Sequence, residues 1–155
     1  MADTAFTISD DRVSPLSIQE QAATGFNAKF RIPYSDILYG TGATDTVTVT
    51  LGATPAKWYI DKCGVNISTA FAGITVYAII VGTTTSTAAL ISSTSLLTAA
   101  FLNQTVGTPI LTNTTATATK NIVATFTAAG TGGPAGITAG QLDIYLCLTN
   151  TALLP

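Results

Sequence analysis

The clearest periodic signal in the chain lies at residues 44–51. There Val47, Val49 and Leu51 alternate with Thr46, Thr48 and Thr50. Successive side chains of a strand point to opposite faces, so this pattern sets three apolar residues on a core and three hydroxyls outside. Residues 26–32 alternate in the same way and stop at Pro33, and residues 37–39 form a short apolar piece that ends at Gly40. Residues 57–68 place Trp58, Ile60, Val65 and Ile67 as candidates for one core, with Gly64 breaking the alternation as a bulge would. The run 74–81 is apolar at nearly every position, which predicts a strand covered on both faces. Residues 83–87 read as a polar loop.

The stretch 88–102 is ambiguous. Leu90-Ile91 and Leu96-Leu97 fit short strands, while 96–102 also fits a helical turn. Residues 105–119 are Thr-rich, with one short strand expected at 109–112. Residues 120–127 alternate again through Ile122, Ala124 and Phe126, residues 128–140 form a long glycine-bearing loop, and residues 141–149 send Leu142, Ile144, Leu146 and Leu148 inward. The sum is about eight strands at regular spacing and no long helix. That predicts an all-β fold: an antiparallel β-sandwich, jelly-roll-like, over residues 29–155. Residues 1–28 sustain no period and are broken by Pro15 and Gly25, so they read as an extended N-terminal arm. Its apolar residues Phe6, Ile8, Val13, Leu16 and Ile18 are candidates for contact with a neighbouring subunit.

Composition changes this picture in one respect. The charged fraction is 9%, well below the usual value of about 25%. Threonine fills the gap with 30 copies, and its branched Cβ suits a pleated strand. From Cys63 to Pro155 the only ionised side chains are Lys120 and Asp143. Sheets ordinarily guard their edges with charge, so edges this poor in charge are expected to be covered by further copies or by a larger assembly. The formal net charge of −2 argues against a phosphate-binding partner, which takes clustered Lys and Arg, so no nucleic acid is expected. The best apolar run is far shorter than a membrane span, and the first residues carry neither a basic nor an apolar signal region, so no membrane association is expected.

Candidate chemistry is sparse. With no histidine, a serine or cysteine nucleophile lacks its commonest base, and zinc lacks a ligand set. Calcium could use only Asp10-Asp11 or Asp36 with Asp45, which read as solvated loop carboxylates. The glycines at 130, 132, 133 and 136 lack the Lys-Ser/Thr ending of a phosphate loop. Cys63 and Cys147 lie in apolar strand surroundings and read as buried free thiols, with a disulfide as the alternative. The aromatics from Phe26 to Tyr145 are spread along the chain and read mostly as core. No cofactor, metal or catalytic residue is expected, and the chain reads as a non-enzyme.

Four segments carry a resemblance. Residues 30–37 (Phe-Arg-Ile-Pro-Tyr-Ser-Asp-Ile), residues 45–51 (Asp-Thr-Val through Leu51), residues 58–73 (from Trp58 through Thr-Ala-Phe-Ala-Gly) and residues 137–146 (led by Ile-Thr-Ala-Gly) resemble virion structural proteins of tailed bacteriophages. The likeness runs over roughly residues 28–150 and is one of pattern, without a catalytic fingerprint. It implies a capsid decoration or cement protein on the outer surface of the head, a homotrimer that binds the major capsid protein where capsid subunits meet. It also implies that an arm, here Ala2 to Thr24, reaches a neighbour or the shell. A head fibre, tail or baseplate component, or a carbohydrate-binding β-sandwich, are the alternatives.

Overall fold

A computed structural model of the chain describes residues 4–5, 13–15, 17–38, 46–54, 58–111, 120–129 and 133–150. Among them are ten strands: β1 (Thr4–Ala5), β2 (Val13–Pro15), β3 (Ala28–Pro33), β4 (Thr46–Thr54), β5 (Trp58–Ala72), β6 (Val76–Thr83), β7 (Ser86–Ser95), β8 (Phe101–Leu111), β9 (Lys120–Ala129) and β10 (Ala139–Asn150). One helix, α1 (Ile18–Thr24), precedes β3, and 3-10 turns span Tyr34–Ile37 and Gly133–Gly136. The fold is the all-β sandwich that the alternation predicts. Eight long strands form two four-stranded antiparallel sheets, β4-β9-β6-β7 and β3-β10-β5-β8, and the short β1 and β2 add to the β4 and β3 edges. Only β1 pairs in parallel among the described strands.

The long strands nest. β3 pairs with β10, β4 with β9, β5 with β8 and β6 with β7. First meets last and second meets second-last, down to the β6–β7 hairpin, as if one long antiparallel ribbon had been folded across itself. Burial of the apolar alternate residues drives that closure, since each sheet has one side to hide. Val47, Val49, Leu51, Tyr77, Ile79, Val81, Ile122, Ala124 and Phe126 from one sheet meet Phe30, Ile32, Ile60, Val65, Ile67, Phe71, Leu142, Ile144 and Leu146 from the other. At its centre Tyr77 packs against Phe71 and Phe126, with ring centroids 5.4 and 5.9 Å away.

Several expectations from the pattern are revised. Residues 88–102 hold no helical turn: Leu90 and Ile91 lie buried in the ten-residue β7, and bends at 96–98 lead into β8. The bends do structural work. Leu96 N–H donates to the Tyr77 carbonyl (2.9 Å) and its carbonyl accepts from Phe71 N–H (3.0 Å), which stitches the two sheets together at that corner. The strand expected at 109–112 begins instead at Phe101. The expected loop at 83–87 shrinks to a two-residue turn, because the Thr83 hydroxyl accepts from Ser86 N–H (3.2 Å) and closes the hairpin. Gly64 lies in regular register opposite Tyr145; the irregularities in β5 fall at Asp61, between Ile60 and Lys62, and again between Ile67 and Ala72. Within residues 1–28, where no period was legible, the chain forms the seven-residue α1 and contributes β1 and β2 to its own sheets.

Gly140 shows how little slack the core has. Its φ is +146°, and a Cβ there would run into the ring of Phe71. Replacing Gly140 with Ala combines backbone strain with overpacking, and we expect a loss of about 2–4 kcal/mol in denaturant unfolding, with the fold retained.

Candidate functional site

The outer face of the β3-β10-β5-β8 sheet is where polar and ionised side chains converge. β3 contributes Lys29 and Arg31, β10 contributes Asp143, Tyr145 and Cys147, and β5 contributes Asp61, Lys62, Gly64 and Asn66. The irregularity at Asp61 lets two consecutive residues, Asp61 and Lys62, lie on this outer side beside Cys147. Arg31 and Asp143 are cross-strand partners, and their side chains form a two-pronged ion pair, Nε to Oδ1 at 2.9 Å and Nη2 to Oδ2 at 3.3 Å. The Asp143 side chain is 5% exposed and that of Arg31 is 55% exposed. The carboxylate is therefore desolvated and depends on its partner, and the pairing in turn raises the Arg31 pKa. The pair fixes the β3–β10 register and leaves neither group idle for acid–base chemistry.

An aromatic cluster occupies the same face. Phe26, just after α1, is buried against Gly64, where an added Cβ would sit 3.1 Å from its ring. Tyr145 lies 5.7 Å from Phe26 and 6.2 Å from Phe101, centroid to centroid. Gly64 thus makes room for rings, a role its break in the alternation did not reveal. Asn27 ties the segment down by imitating a strand residue. Its Nδ2 donates to the Leu148 carbonyl (2.6 Å), its Oδ1 accepts from Leu148 N–H (2.9 Å), and its own N–H donates to the Leu146 carbonyl (3.0 Å). Gly25, at φ +71°, ends α1, and the Lys62 ammonium lies over it, where helix carbonyls favour a cation.

The helix is thereby anchored at its carboxyl end. Ile18, Gln19, Gln21, Ala22 and Ala23 are all exposed, Ile18 at 85%. A helix this short has little stability of its own, so contact with another surface would order it further. Of the residues expected to touch a neighbour, Ile18 opens α1, and Val13 lies in β2 opposite Phe30. Phe6, Ile8 and Leu16 lie outside the described residues.

Among the described residues no group of three or more His, Cys, Asp and Glu converges to hold a metal ion, and no helix is long and apolar enough to cross a membrane. Asp36 lies in the 3-10 turn after β3, and Asp10, Asp11 and Asp45 are outside the described residues. Both cysteines are free thiols. Cys63 faces the core and Cys147 the outer side of the neighbouring strand, so their side chains diverge. Cys147 is half-buried, short of the burial its surroundings predicted. Its thiol is raised by partial burial and by Asp61, against an opposing pull from Lys62, which leaves a poor nucleophile.

Burial pushes the Cys63 thiol from 9.0 up to about 12. An unfolded thiol ionises first, so the contribution of Cys63 to stability is intact below pH 9 and declines as pH rises toward 12. Denaturant unfolding should show this alkaline loss in the native chain and a smaller loss in Cys63→Ala, whose baseline stability is lower. At neutral pH a thiol reagent should modify Cys147 in the folded protein and reach Cys63 only on unfolding. Comparison with protein-family models, curated proteins and solved structures finds no match for this chain.

Proposed function

We propose that the chain is a non-enzymatic virion structural protein that decorates and cements a bacteriophage capsid. In this reading it sits on the outer surface of the shell, binds the major capsid protein where subunits meet, and assembles as a homotrimer. The observation that carries the reading is an outer sheet face without charge: Thr46, Thr48, Thr125, Thr127, Val76, Ala78 and Ile80 on the β4-β9-β6 surface. Such a face suits burial against protein and offers nothing to a phosphate backbone. The nested pairing supports a jelly-roll wrap, in which successive strands alternate between two sheets as a folded ribbon.

Cementing asks for many moderate contacts repeated by symmetry. Each apolar Å² removed from water contributes roughly 25 cal/mol, and repetition across a shell multiplies weak contacts into strong retention. The exposed Ile18 on α1 gives the N-terminal segment an apolar side chain to spend on a neighbour. A second reading, a carbohydrate-binding sandwich, draws on Phe101, 53% exposed beside Tyr145. The two rings stand at 69°, so they do not make the flat platform that sugar stacking needs.

Electron microscopy of purified particles carrying a tagged copy of the chain tests the reading. The expected outcome is label over the head at junctions between capsid subunits; label on the tail or baseplate, or none, contradicts it, and a glycan array tests the sugar reading. Deleting residues 1–24 should leave a folded sandwich by circular dichroism, because Phe26 and Asn27 still anchor β3, while occupancy on heads falls by about tenfold or more. Normal occupancy of the truncated chain would remove the arm from the account.

A further inference from the structure

β6 is apolar along both sides, the mark of a strand buried twice. Tyr77, Ile79 and Val81 go into the core. Val76, Ala78 and Ile80 go outward, where Val76 is 53% exposed and the other two are half-buried. The neighbouring strands continue the surface with Thr125 and Thr127 on β9 and Thr46 and Thr48 on β4, and the Thr48 and Thr125 hydroxyls bond each other at 3.4 Å. Among the described strand side chains, Lys29, Arg31, Asp61, Lys62 and Asp143 carry the charge, and all five lie on the opposite sheet. Lys120 opens β9 opposite Thr54, at the far end of the strand from the Thr46–Thr127 pair. Charge is thus segregated among the described side chains: one outer face of the sandwich has it, and the stretch around Thr46, Thr127 and Val76 on the other has none.

The geometry points to the charge-free face as the place where another copy of this chain packs, and to β7 as the element that covers it. An occupant with ionised groups would leave them desolvated and without a counter-charge against Thr, Val, Ala and Ile. A neutral occupant avoids this, and this chain carries one. β7 is the edge of the same sheet, ten residues of Ser, Thr, Ala, Leu and Ile with no charge and no proline. Edges of that length are ordinarily guarded by Lys or Pro, or covered. Its Ser92, Ser93 and Ser95 are exposed. Packing the β7 edge of one copy on the β4-β9-β6 face of the next covers both neutral surfaces with one contact. A contact of that kind is heterologous: it makes a ring where its rotation closes and an open filament where it does not, and the homotrimer of the proposed function is the closed case. The inference rests on that function only for the number of copies.

Sedimentation velocity and light scattering on the full chain test it without any particle present. At micromolar concentration the native protein should sediment as a single closed species of three 15.8 kDa chains. Thr127→Lys and Thr46→Lys, both at exposed positions on the face, and Ser93→Lys on the edge should each weaken assembly by about tenfold or more. Lys29→Glu, on the other sheet, should leave it unchanged. Circular dichroism melting of each variant confirms that the fold survives. A native chain that is monomeric throughout, or face variants that keep the native mass, would overturn the inference. Loss of assembly in Thr127→Lys but not in Ser93→Lys would overturn the pairing of face with edge. A monomeric native chain leaves the capsid reading to be decided by microscopy, whereas an assembled chain absent from particles sinks that reading and not this one.

Discussion

Every strand of a sandwich sends alternate side chains to the core and to the outside, so the outer faces are set by the positions the core does not use. Here the core positions are ordinary: Val, Ile, Leu and Phe interdigitate between two sheets around Tyr77. The outer positions are what make the chain unusual. On β3, β5 and β10 they include three cations and two carboxylates; on β4, β6 and β9 the described ones are hydroxyl, aliphatic or, at Asn121, amide. A face so poor in charge offers little repulsion to another neutral surface.

The same constraint accounts for the details around the two faces. On the charged side, the segment that follows α1 is fixed by Phe26 over Gly64 and by three hydrogen bonds of Asn27. Arg31 and Asp143 pair across β3 and β10 and keep a carboxylate satisfied beneath the surface. On the uncharged side, among the described strands, only the two residues of β1 extend the β4 edge, and β7 ends the sheet at the other.

Much of this was legible in the alternation. Val47, Val49 and Leu51 against three threonines, and Leu142 through Leu148 on β10, read directly as strands with a core side, and those side chains are buried. Residues 88–111 were not legible, because Ser, Thr and Ala occupy both faces and Leu90-Ile91 are buried side by side, which erases the period of two. α1 was hidden for another reason: an anchor at Gly25 to Asn27 holds it, and its described side chains are all exposed, so they leave no apolar stripe to read. The aromatics misled in part. Phe26, Phe30, Phe71, Tyr77 and Phe126 are buried as expected, but Tyr145 is half-buried and Phe101 exposed, and both gather with Phe26 around a glycine whose role is spatial. The apolar run of β6 predicted cover on both sides; the chain buries Tyr77, Ile79 and Val81, half-buries Ala78 and Ile80, and leaves Val76 exposed.

The most direct test is the rate at which a maleimide modifies Thr127→Cys on the uncharged face, compared at low and high protein concentration. The native Cys147 thiol, half-buried on the opposite sheet, serves as the internal reference. The account predicts that labelling at position 127 slows by about tenfold or more as copies assemble, while Cys147 keeps its rate. Equal slowing at both positions, or none at position 127, would contradict it.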